Sequence, residues 1–98
     1  MLFDLFRKKV NYADLIQNGA IIIDVRTSGE FKSGHIQGSK NIPLDSINSH
    51  VNAIKKANKT IIVCCQSGMR SGMAKSILKR HGLEVYNGGS WTSLSRKI

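Results

Sequence analysis

The sequence is short of acid, cysteine, proline and aromatic rings, and each shortage narrows what the chain can be. Six Asp and Glu stand against fifteen Lys and Arg, a formal net charge of +9. Such a balance would suit a nucleic-acid surface, but the cations are spread along the chain. Their only clusters are short, at Arg7–Lys9, Lys55-Lys56, Lys79-Arg80 and Arg96-Lys97, and the six aromatic residues form no stacking series. We read a solvated basic surface, with no dedicated nucleic-acid binding, whose field favours anions and acidic partners. The two cysteines, Cys64 and Cys65, are adjacent, so they cannot staple distant segments, and a bridge between neighbours is strained. They read as reduced thiols of a reducing compartment, and no paired Cys/His spacing suggests a metal. No apolar run approaches the roughly 20 residues that span a bilayer. The start, Met1–Lys9, is apolar then basic, the reverse of a secretory signal. These features lead to the expectation of a cytoplasmic protein with no membrane span.

What is present alternates between two periodicities. Residues 1–10 read as an amphipathic arm whose Leu2, Phe3, Leu5 and Phe6 pack on the domain, since so short a segment buries too little for membrane anchoring. Asn11 caps a first helix, with Leu15 and Ile16 on its apolar face and Gly19 just past its end. Ala20–Val25 is an apolar, β-branched run, as in a strand buried on both faces. Thr27 and Glu30 make a capping box for a short helix ending near Gly34. Arg26 and Glu30 are spaced for a salt bridge if that helix begins early. Ser39–Ile42 is a short strand closed by Pro43, the lone proline. Ile47, Val51 and Ile54 then recur at helical spacing as far as Ala57. Thr60–Cys64 is the next strand. Met73, Ala74, Ile77 and Leu78 mark the buried face of a helix that ends in Lys79, Arg80 and His81 before Gly82. Leu83–Asn87 is a last strand, with Gly88-Gly89 as a tight exit, and Ser90–Ile98 a terminal helix burying Trp91, Leu94 and Ile98. Gly72 is a costly choice inside a helix and implies a close backbone contact. Alternating strands and helices imply a parallel α/β sheet with helices on both faces, in one domain spanning residues 1–98.

The stretch that carries chemistry is Cys64-Cys65-Gln66-Ser67-Gly68-Met69-Arg70-Ser71, which joins a buried strand to a helix. Open α/β sheets place their sites there, outside the carboxyl ends of the strands. A cysteine at this turn meets unpaired backbone N–H groups and the positive end of the helix dipole, which favour thiolate. Arg70 adds a cation, and the same N–H groups can hold an anion. Two registers compete. From Cys64 the spacing is C-x5-R, the pattern of cysteine-dependent phosphatases. From Cys65 it is C-x4-R, with Gly68 three residues after the cysteine. The glycine, and Val63 where phosphatases usually carry histidine, favour Cys65.

The C-Q-S-G-M-R-S loop resembles that of rhodanese-type sulfurtransferases. A longer block upstream carries the same resemblance: Asp24-Val25-Arg26, Glu30-Phe31, Gly34-His35-Ile36, Gly38-Ser39 and Asn41-Ile42-Pro43 stand in the order and spacing of that family's pattern. Gly88-Gly89 also fits, so the resemblance covers roughly residues 11–94. It implies a three-layer α/β/α rhodanese-like domain with a mainly parallel sheet of about five strands. It further implies sulfane-sulfur transfer through a Cys65 persulfide, from thiosulfate or a low-molecular-weight persulfide to a thiol or cyanide. Gln66, Ser67, Gly68, Met69 and Arg70 would bind the anion, with Met69 shaping the pocket mouth, and no cofactor is implied. Asp24 and Arg26 either support the site or pair and cap nearby turns, and His35 is expected to be structural. Cys64 is either a small core hydrophobe or a thiol that resolves an oxidised Cys65. Partners implied are a small anionic sulfur donor and a thiol or protein acceptor. A Cys64-based phosphatase or arsenate reductase, and a non-catalytic binding module, stand as alternatives.

Overall fold

The computed structural model describes residues 9–98, so the apolar arm expected at the start lies, up to residue 8, outside the described residues. Helix α1 (Tyr12–Gln17) is capped by the Asn11 side chain, which accepts from the Asp14 N–H, and Gly19 turns the chain at φ +103°. Strand β1 (Ile21–Asp24) leads to α2 (Ser28–Ser33), whose Thr27–Glu30 capping box forms in full. Strand β2 (Lys40–Asn41) is only two residues long. A 3-10 turn (Leu44–Ser46) opens α3 (Ile47–Ala57), which ends at Asn58 in the left-handed region. Strand β3 (Ile61–Cys65), helix α4 (Met69–Arg80), strand β4 (Val85–Ser90) and helix α5 (Trp91–Ser95) complete the chain.

The described residues build a four-stranded parallel sheet in the order β2-β1-β3-β4, where about five strands were expected. Side-chain alternation along the strands divides the core into two layers. Ile23, Val25, Ile61, Val63 and Cys65 face one side, where they meet Ile47, Val51 and Ile54 of α3 and Ala74 and Leu78 of α4. Ile22, Ile62 and Cys64 face the other, against Ile36, Leu94 and the partly buried Tyr12, Leu15, Ile16 and Trp91. The result is three layers, α/β/α. Strand order reverses between β1 and β3, so the ends of these two strands flank the crevice where such sheets bind ligands.

Four expectations are corrected by packing. Met73 is 59% exposed. At about 100° per residue it lies roughly 130° from the stripe centred on Ser71, Ala74 and Leu78, which are the buried residues of α4. Ile98 is exposed too, because α5 stops at Ser95. Gly88-Gly89 lies within β4 rather than beyond it. There a register shift between Val63 and Cys65 lets Ser90, not Gly89, pair with Cys65. A Cβ on Gly88 would stand 2.9 Å from Leu94 Cδ2, 3.1 Å from Ile62 Cγ2 and 3.2 Å from the Val63 carbonyl, so only glycine lets β4 and α5 close on β3. Gly72, expected to make a close backbone contact, has room for a side chain: a Cβ there would meet the Asn87 side-chain amide at an ordinary 3.5 Å.

Candidate active site

Cys65 is the last residue of β3, one position later than the strand end read from the sequence, and its side chain is fully buried. The backbone turns back on it at once. Gly68 adopts φ +100° and starts α4 without any side-chain cap of its own. The Cys65 sulfur takes the place of that cap. It accepts from the Gly68 N–H at 3.0 Å and from the Ser71 N–H, in the third position of the helix, at 3.4 Å, and lies 3.4 Å from the Ser71 hydroxyl. Donors that a helix start leaves orphaned are thus spent on sulfur. Burial raises the Cys65 thiol. With the Ser71 hydroxyl counted as a donor to sulfur, hydrogen bonds from Ser71, Ser67 and Gly68 outweigh it and the thiol ends below its ordinary value.

Cys64 lives in a different environment one residue away. It pairs with Asp24 across β1 and packs among Ile22, Ile62 and Leu94 in the opposite layer. Burial, with the Asp24 charge adding to it, pushes its thiol up to about 12. Both cysteines are free. Strand alternation therefore gives the two neighbours opposite chemistry: one sulfur sits in a ring of N–H donors, the other in hydrocarbon.

Of the loop residues named for anion binding, Gln66 and Ser67 are exposed between β3 and α4, and Gly68 makes the turn. Met69, expected to shape a pocket mouth, is 80% exposed. Its side chain leaves the first position of α4 towards solvent. Arg70 does not hang free over the loop. Its guanidinium forks onto Glu30, with Nη1 donating to Oε1 at 2.7 Å and Nη2 to Oε2 at 2.9 Å. That fork, aided by the Thr27 cap, holds the Glu30 carboxyl at about 2. Arg70 also borders a cavity of about 320 Å³ with Val25, Thr27, Pro43, Leu44 and Asp45.

The expected Arg26–Glu30 carboxylate pair does not form, because Arg26 is turned inward. It grips the fully buried Asp24 through Nε and through Nη2 at 2.7 Å, and donates to the carbonyls of Gly34 at 2.7 Å and Glu30 at 3.2 Å. The guanidinium lies 4.8 Å from the Trp91 ring centroid. Asp24 and Arg26 thus tie β1 to the turn after α2 rather than lining the Cys65 cradle. His35 is bonded to the Phe31 carbonyl at 2.8 Å and stacked on the Phe31 ring, in keeping with a structural role.

Asn87 is the participant that the sequence does not announce. Its Oδ1 accepts from Ser71 Oγ at 2.7 Å and from the Gly89 N–H at 2.9 Å, while its Nδ2 donates to the Gly68 carbonyl at 3.1 Å. Its own carbonyl accepts from the Tyr12 hydroxyl at 3.0 Å. An asparagine just before two glycines reads locally as turn chemistry. Only the β3–β4 pairing brings it beneath the loop, where Gly68 and Gly89 also approach closely. Among the described residues no group of three or more His, Cys, Asp or Glu could hold a metal ion, and no helix is long and apolar enough to cross a membrane.

Comparison with known proteins agrees with this fold. A family model described as rhodanese-like domain matches residues 9–95. Protein YqhL of Bacillus subtilis is 42% identical over 69 residues, 69% of this chain and 54% of that protein. Thiosulfate sulfurtransferase PspE of Escherichia coli is 39% identical over 69 residues, 68% of this chain and 66% of that protein. The chain thus spans between about half and two thirds of the length of these two relatives. The crystal structure of reduced Bacillus anthracis CoADR-RHD superposes with a TM-score of 0.76 at 34% identity, covering 96% of this chain and 17% of that one.

Proposed function

The chain belongs to the rhodanese-like domain family, and from that premise we propose that it moves sulfane sulfur through a persulfide on Cys65. At family level the similarity is to sulfurtransferases; the donor, the acceptor and the roles of individual residues are our reading. The Cys65 thiolate attacks the outer sulfur of thiosulfate or of a low-molecular-weight persulfide. The new S–S bond forms as the old one breaks, and sulfite, or the donor thiolate, leaves with the electron pair. The terminal sulfur then carries the negative charge, for which N–H donors at the start of α4 are suitable partners. An acceptor thiolate or cyanide takes that outer sulfur and returns Cys65 as thiolate. No general base is needed once the thiolate exists.

The observation that carries this reading is the contrast between the two sulfurs. Cys65 receives two backbone N–H groups, whereas Cys64 is held neutral in the far layer. A phosphatase built on Cys64 would need that sulfur inside the loop, and its placement argues against it. Gln66, Ser67, Gly68, Met69 and Arg70 form the rim through which an anion reaches the sulfur, and Arg70 can meet it only in competition with Glu30. The adjacent reduced thiols fit a cytoplasmic compartment, with residues 1–98 acting as one domain.

Intact-mass measurement after incubation with thiosulfate or glutathione persulfide tests the proposal. Wild type and Cys64→Ser should each gain one sulfur atom and Cys65→Ser none. Loading that follows Cys64 instead, or no loading from either donor, refutes it.

A further inference from the structure

Counting protons around Ser71 leads to a role for this residue that distances alone do not reveal. The Asn87 amide can face only one way. Its Oδ1 meets the Gly89 N–H, which can only donate, and its Nδ2 meets the Gly68 carbonyl, which can only accept. Oδ1 is therefore also an acceptor towards Ser71 Oγ, at 2.7 Å. A serine hydroxyl has one proton, and here it is committed to Asn87. Towards Cys65 Sγ, 3.4 Å away, Ser71 Oγ then presents a lone pair. The group that fits a lone pair is a thiol S–H, not a thiolate.

We infer that Ser71 and Asn87 together form a proton-holding pair: Asn87 keeps the Ser71 hydroxyl turned away from sulfur, and Ser71 accepts the Cys65 S–H, opposing the thiolate that the Gly68 and Ser71 N–H groups favour. Ser71 is fully buried, so water does not compete for the hydroxyl. The hydroxyl and the backbone N–H of one residue thus pull the same sulfur in opposite directions. The thiolate is thereby less favoured than the N–H groups alone would make it, and oxidation, which proceeds through thiolate, is slowed. Ser71 is a positioning residue in this account, and it acts through the protonation state of Cys65. The inference rests on Cys65 being the nucleophile.

The test is a pH titration of cysteine followed by 13Cβ NMR, which separates Cys65 from Cys64 and needs no access of a reagent to the buried sulfur. Ser71→Ala removes the acceptor, and the Cys65 midpoint should fall by about half a pH unit or more, the equivalent of one modest hydrogen bond. Were Ser71 a donor to sulfur, the same variant would raise the midpoint. A rise, or no change, overturns the inference. Asn87→Ala gives a second reading should Ser71→Ala fail to fold. With its hydroxyl released, Ser71 can turn its proton to sulfur, and the midpoint should again fall; an unchanged or raised midpoint is contrary. Because the titration uses no sulfur donor, failure here is distinguishable from failure of persulfide loading, which mass measurement reads separately.

Discussion

Arg26→Ala should cost this domain a large share of its stability, because it leaves a buried charge without its partner. Asp24 is 0% exposed. Its carboxylate is neutralised by the Arg26 fork, with Nη2–Oδ2 at 2.7 Å and Nε at 3.0 and 3.1 Å from the two oxygens. Truncation leaves that charge buried with the Arg26 backbone N–H and the Asn41 amide nearby, the latter bonded to main-chain carbonyls instead. Breaking a buried pair from one side costs about 3–5 kcal/mol. Domains of this size hold about 5–15 kcal/mol in all, so the loss is between about a fifth and all of that margin. At roughly 1.5 kcal/mol per molar urea, the midpoint should drop by about 2–3 M. Circular dichroism is the appropriate probe, since the guanidinium stacks on Trp91 and its loss would alter fluorescence directly. Arg26→Met with Asp24→Asn removes both charges and should recover most of the loss. Sulfur loading per folded molecule should be near normal in that double variant. A variant Arg26→Ala that keeps its urea midpoint but no longer loads sulfur would refute this account and return Arg26 to the site.

Two further outcomes follow from the same geometry. The Glu30 carboxyl is held at about 2, below its ordinary 4.5, so its contribution is complete above about pH 4.5 and is lost as pH falls through about 2. Calorimetry should therefore show Glu30→Gln melting below wild type near neutrality, with the gap closing towards pH 2 and narrowing in high salt; parallel curves across that range would count against the Arg70 fork. Gly88→Ala places a methyl 2.9 Å from Leu94 Cδ2 and 3.2 Å from the Val63 carbonyl. Overpacking of this kind costs about 1–3 kcal/mol, or a melting temperature lower by about 4–24 °C, and an unchanged melting temperature would mean that β4 and α5 have more room than the contacts imply.

What was legible in the sequence was local. The Thr27–Glu30 capping box, the Asn11 cap and the Ile47, Val51, Ile54 stripe each lie within a turn or three of helix, where spacing dictates geometry. The loop from Cys65 to Arg70 is equally compact, and its glycine has the positive φ that its place demands. Misreadings arose where a residue had two partners to choose from and the decisive one was distant. Glu30 sits four positions after Arg26, yet its carboxylate pairs with Arg70, forty residues on, because Arg26 is drawn inward by Asp24. Asn87 has no local signature of its role, which exists only once β4 lies beside β3.

The adjacent cysteines show how much a two-residue period can decide. Sequence alone leaves Cys64 and Cys65 as rivals, separated by loop spacing and a glycine. In the sheet, the side-chain alternation that packs Ile61 and Val63 against α3 and α4 sends Cys65 to the same layer, at the start of α4. The alternation that sends Ile62 the other way takes Cys64 with it. A register slip of one residue would exchange them, placing Cys64 under the helix start and burying Cys65 in hydrocarbon. Both faces of β3 are buried, so that slip is opposed by side-chain fit rather than polarity: Ile61, Ile62 and Val63 would each have to repack against the opposite layer. If Cys65 is the nucleophile, as proposed, which sulfur reacts is decided by the apolar residues before the loop as well as by the loop itself.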